Sequence, residues 1–210
     1  MKLFRKWTVA LAAGAIVTGV AVVSLPSAEA AAEAAPQPWM NVLLKGKFGF
    51  TAWRSCVQTL YAPGFEPDSQ ALACDSENIT FIESGTLTFN GNGTLTANNI
   101  SVTSMEPGKL TAGATPVRAG IKSSCTGTYS VMADRSFNAE MNCSAPLPDG
   151  IVLTMGPFRY TGHMDFPVST LTLSELEGNV QTLSLKMGET PLHQFERICT
   201  SSGTLVRIGY

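Results

Sequence analysis

The stretch Cys125-Thr126-Gly127-Thr128-Tyr129-Ser130-Val131, with its returning arm Phe137-Asn138-Ala139-Glu140-Met141-Asn142-Cys143, decides how this chain folds. Cys125, Gly127, Tyr129 and Val131 alternate with hydroxyl residues, and Phe137, Ala139, Met141 and Cys143 alternate with Asn138, Glu140 and Asn142. A period of two belongs to a strand with one buried face. A turn centred on Asp134 pairs Val131 with Phe137, Tyr129 with Ala139, Gly127 with Met141 and Cys125 with Cys143. Every pair then joins two residues of the same face, whereas a slip of one residue would turn one arm inside out. The two cysteines fall directly opposite each other, within reach of a disulfide.

Working outward, the same period runs from Met40 to the end of the chain, and no segment shows the 3.6-residue apolar period of an amphipathic helix. Leu87 and Phe89 share a face before Asn90-Gly91-Asn92-Gly93, and Leu95 and Ala97 share one after it. Asn and Gly accept the positive φ that tight hairpin turns require, so 85–97 reads as a second hairpin. Candidate strands are 43–58, 79–90, 94–103, 120–131, 137–143, 151–155, 158–164, 170–176, 180–187, 192–200 and 204–208. Gly, Pro and Asn separate them at short intervals, so the chain reads as all-β. The expected architecture is an antiparallel up-and-down barrel of about 8–10 strands, with a β-sandwich as the alternative.

Lys2, Arg5 and Lys6 precede an uncharged run over 7–27, and Ala28-Glu29-Ala30 supplies a small-x-small cleavage pattern. Residues 1–30 therefore read as a secretory signal peptide, 31–39 as a flexible tether, and 40–210 as one β-barrel domain. Removing Lys2, Arg5, Lys6 and Glu29 from the 14 basic and 16 acidic residues leaves 11 and 15. No basic cluster remains, which argues against nucleic acid as a partner. The expected location is the periplasm or the extracellular medium, with no membrane association after cleavage.

Five cysteines leave one unpaired in an oxidising compartment. With Cys125 joined to Cys143, Cys56, Cys74 and Cys199 compete. Cys56 lies near the end of the first strand and Cys199 in the penultimate one, so a Cys56–Cys199 bond would staple a closing ring. Cys56–Cys74 is the local alternative. The longer bond is preferred here and leaves Cys74 free or intermolecular.

Catalytic and metal-binding patterns are missing from the sequence. His163 and Asp165 share a strand face, but with His193 they do not make a zinc spacing. There is no Gly-x-Ser-x-Gly elbow, and Ser55, Ser84 and Ser124 have no spacing that ties them to a histidine. Glu175 and Glu177 flank Gly178-Asn179 and read as a solvated edge rather than as glycosidase carboxylates. No cofactor fingerprint is present, and the chain is not expected to be an enzyme.

The Cys125-Thr126-Gly127-Thr128-Tyr129 strand and its returning arm resemble hairpins of lipocalin-like (calycin) barrels and of secreted bacterial proteins with a Gly-Thr-Tyr hairpin. The lipocalin hallmark is Gly-x-Trp in the first strand, packed against an arginine near the barrel's end. Here Gly49 and Trp53 stand four apart, and Arg197 and Arg207 are the candidate partners. The resemblance implies a cup-shaped interior that holds a small apolar ligand. Phe48, Phe50, Leu87, Phe89 and Tyr129 are the expected lining. Loops 61–68 and 106–116 would rim the entrance, with Tyr61 and Phe65 over it. The alternative is a structural or protein-interaction domain of the bacterial envelope, with an envelope protein as partner. A small outer-membrane barrel is the third reading; its strands would need about 10 residues and an apolar outer band.

Overall fold

The computed structural model describes residues 36–105 and 117–209. The expected signal peptide, the first part of the tether and the loop 106–116 lie outside the described residues. Among the described residues alternation builds nine strands: β1 (Gly46–Thr59), β2 (Ser76–Phe89), β3 (Thr94–Met105), β4 (Val117–Val131), β5 (Ser136–Pro146), β6 (Ile151–Met164), β7 (Thr170–Glu175), β8 (Val180–Met187) and β9 (Thr190–Gly209). All pairings are antiparallel, and β9 returns to pair with β1 from Gly209 opposite Lys47 to Arg197 opposite Gln58. A single sheet therefore closes on itself as a ring, in place of the two-sheet alternative.

β7 and β8 share one position in this ring. β7 pairs with the C-terminal part of β6 and β8 with its N-terminal part, and the two divide β9 in the same way. They are two halves of one stave, broken at 176–179. The break faces Pro157, which has no N–H to give to a ladder. There the Leu176 N–H donates to the Arg159 carbonyl and Asn179 Nδ2 to the Pro157 carbonyl at 2.9 Å.

Both expected hairpins form, the one over 125–143 in the expected register. Val131, Tyr129, Gly127 and Cys125 oppose Phe137, Ala139, Met141 and Cys143, while Leu87 and Phe89 oppose Ala97 and Leu95. Cys125–Cys143 and Cys56–Cys199 are bonded, and Cys74 is free. Two expected breaks are corrected. Segments 151–155 and 158–164 form one strand through Gly156-Pro157, and 192–200 and 204–208 form one strand through Gly203. Gly203 continues the ladder opposite Ala52 and Leu173. A Cβ at Gly203 would sit 2.9 Å from that of Ala52, so glycine marks a close approach here and not a turn.

One end of the ring is packed solid. Phe89 meets Phe48, Tyr129 and Phe137 edge-on, with centroids 5.5, 5.0 and 6.4 Å away. A 3-10 helix, Pro38–Leu44, plugs this end with Met40 and Leu44. Asn41 fastens the plug: its Oδ1 accepts the Val131 N–H at 3.0 Å, and its carbonyl accepts the Tyr129 hydroxyl at 2.8 Å. Within the expected tether, Pro36 bridges Met132 and the Gln37 N–H donates to the Val131 carbonyl, so the chain is anchored from Pro36 onward.

Candidate functional site

Beyond the aromatic plug the ring is hollow. A cavity of about 850 Å³ is lined from every stave and extends to the level of Gln58, Glu77 and Ser104 at the opposite end. Small inward residues help to leave this space, Ala52 on β1 facing Gly203 on β9.

The wall built by β3 to β5 is mostly apolar, with Ile100, Val102, Cys125 and Met141 facing inward beside Leu87 of β2. The wall where β2, β1, β9, the broken stave and β6 follow one another carries charge. Arg54, fully buried, lies 3.4 Å from Glu83 and 3.5 Å from Glu175, and it donates to the Tyr160 hydroxyl. Its guanidinium covers the Phe158 ring at 4.8 Å. Gln181 donates to Glu175 through Nε2 and accepts from Arg197 Nε at 2.6 Å. Arg197 lies over Phe81 at 5.2 Å and over Phe158 at 5.6 Å. The kink at 176–179 brings Glu175, Asn179 and Gln181 to this wall, where regular alternation would have spread them along a strand.

Burial sets the proton affinities. It works against the charge on Arg54, but Tyr160, Glu83 and Glu175 outweigh it and hold Arg54 above the ordinary arginine value. Burial and the like charge of Arg54 push Arg197 down to about 10. The Tyr160 phenol is raised by burial. Glu175 is also raised by burial, against the pull of Arg54, whose single guanidinium it shares with Glu83. The Glu175 Oε2 and the Arg54 Nε and Nη1 have no hydrogen-bond partner among the described residues.

Of the expected lining, Phe50, Leu87 and Phe89 border the cavity, while Phe48 and Tyr129 belong to the packed end. Loop 61–68 leaves from the cavity's far end. The chain after Tyr61 then folds down the outside of the ring. There the Gly64 N–H donates to Glu196 Oε2 at 2.7 Å, and Gln70 Nε2 to the Gly178 carbonyl at 2.9 Å. Phe65 is buried beneath that segment and Tyr61 is exposed, so neither lines the cavity. Glu175 overturns the expectation of a solvated edge, because its side chain is enclosed; Glu177 is exposed. His163 is exposed on β6, and His193 stacks with Phe195 and meets Tyr61 edge-on. Trp53 faces outward, half exposed, and Arg207 lies over Phe48 at 4.6 Å.

Compared with known proteins, the chain matches no family, no curated protein and no solved structure.

Proposed function

We propose that the protein is a secreted or periplasmic, non-catalytic binding protein that holds a small apolar ligand inside a calycin-like up-and-down barrel. The cavity carries this reading: about 850 Å³ falls in the range that encloses a small organic molecule, and its surface is mostly apolar. Eight staves suit a ring whose interior is either filled by side chains or holds one small ligand. Arg207 near the chain's end lies over Phe48 of the first strand, while Trp53 faces outward. Two disulfides fit an oxidising compartment.

An outer-membrane barrel would need a continuous apolar band on its outer face. β1, at 14 residues, is long enough to cross, but Lys47, Thr51, Glu140 and Arg159 face outward and interrupt such a band. Titration with N-phenyl-1-naphthylamine, a neutral apolar fluorophore, tests the reading. Saturable uptake of one probe per chain is expected; fluorescence that never saturates removes the reading.

A further inference from the structure

Among the described residues two guanidinium groups are buried in the interior, and only that of Arg54 forms an ion pair. Arg54 takes both nearby carboxylates, Glu83 and Glu175. Arg197 is 4% exposed, yet no carboxylate among the described residues lies within ion-pair distance of it. Its single hydrogen bond runs from Nε to Gln181, whose own amide is committed to Glu175. The two terminal nitrogens have no acceptor among the described residues, and the group borders the cavity. The rings of Phe81 and Phe158 hold the cation by its faces, which leaves the in-plane N–H fork unused. Glu83 and Glu175 act on it only from beyond ion-pair distance; a buried charge without a counter-ion in contact is costly, and arginine does not escape the cost by losing its proton at neutral pH.

Position adds to this. Arg197 opposes Gln58 and sits one inward step from the Cys56–Cys199 bond, toward the end where the cavity meets Gln58 and Glu77. Arg54 sits one step to the other side of that bond, deeper in the ring. The apolar wall lies across from both.

We propose that Arg197 is the head-group anchor for an amphipathic monoanion. Its terminal nitrogens would grip one acid group in the fork geometry, and the hydrocarbon body would lie along Leu87, Ile100, Val102 and Met141. A second negative charge on the head would face Glu83 and Glu175, which favours a single acid group over a dianion. The proposal rests on the binding reading above and narrows its ligand class.

Displacement of bound N-phenyl-1-naphthylamine by dodecanoate and by dodecan-1-ol, at neutral pH and below micelle formation, separates the two claims. In the wild type dodecanoate should displace the probe at about a tenfold lower concentration than the alcohol, as expected for a charge-assisted contact. Arg197→Gln should abolish this preference while still binding the probe, and Arg197→Lys should restore part of it. If the alcohol competes as well as the acid in the wild type, the anchor is wrong and the binding reading stands. If neither the probe nor either amphiphile binds, by fluorescence or calorimetry, both fall. The wild-type comparison decides even if Arg197→Gln does not fold.

Discussion

Taking the guanidinium from Arg54 leaves Glu83 and Glu175 inside the ring without a counter-ion and the Tyr160 hydroxyl without its donor. Arg54→Met should lower the unfolding free energy by about 3–5 kcal/mol, the usual cost of orphaning a buried charge. A loss below about 1 kcal/mol in urea titration would mean that the pair is solvated like a surface bridge. Glu175 gives a pH signature. Its pKa is raised by burial, so between the unfolded and folded values the native state binds more protons and the wild type loses stability as pH rises. Glu175→Gln cannot titrate. Its stability relative to wild type should therefore climb from acid toward neutral pH and level off above the folded pKa. A flat difference, or one that falls, contradicts the assignment. These charges were half legible in the sequence. Arg54 has the parity of Cys56 and Phe50, and Arg197 that of Cys199 and Leu205, so inward-facing cysteines carry both arginines inward. Glu175 has the parity of Leu171 and Leu173, but Gly178-Asn179 beside it reads as an exposed turn, which hid its burial.

At the scale of elements, the two disulfides close loops of very different size, 18 and 143 residues apart in sequence. Loop-closure entropy assigns about 3 kcal/mol to Cys125–Cys143 and about 5 kcal/mol to Cys56–Cys199. Replacing Cys56 and Cys199 by Ala should thus cost more than replacing Cys125 and Cys143. Equal losses in chemical denaturation would show that the ring stays closed in the unfolded reference or is held by other contacts. Strand pairing was most readable where both arms alternate cleanly, as in 125–143, because only one register buries both faces. It was least readable at Gly156-Pro157 and Gly203, where residues that elsewhere end a strand are tolerated inside one. The first faces a gap in the next stave, and the second is crowded by Ala52.

For the whole molecule, closure is what turns nine strands into a container. The aromatic plug seals one end, the Cys56–Cys199 bond joins first strand to last, and the volume between them is left by small inward residues such as Ala52 and Gly203. Closure was readable from the cysteine positions, but cavity volume depends on side chains from every stave at once and no local pattern reports it. The most direct test is the N-phenyl-1-naphthylamine titration run on wild type and on Ala52→Phe, which places a ring inside the cavity. Saturable binding of one probe per chain in the wild type, weakened about tenfold or more in a variant that keeps its β-sheet spectrum and both disulfides, is the predicted result. A wild type that takes up no probe saturably, or an Ala52→Phe variant that binds it as well, would contradict the account.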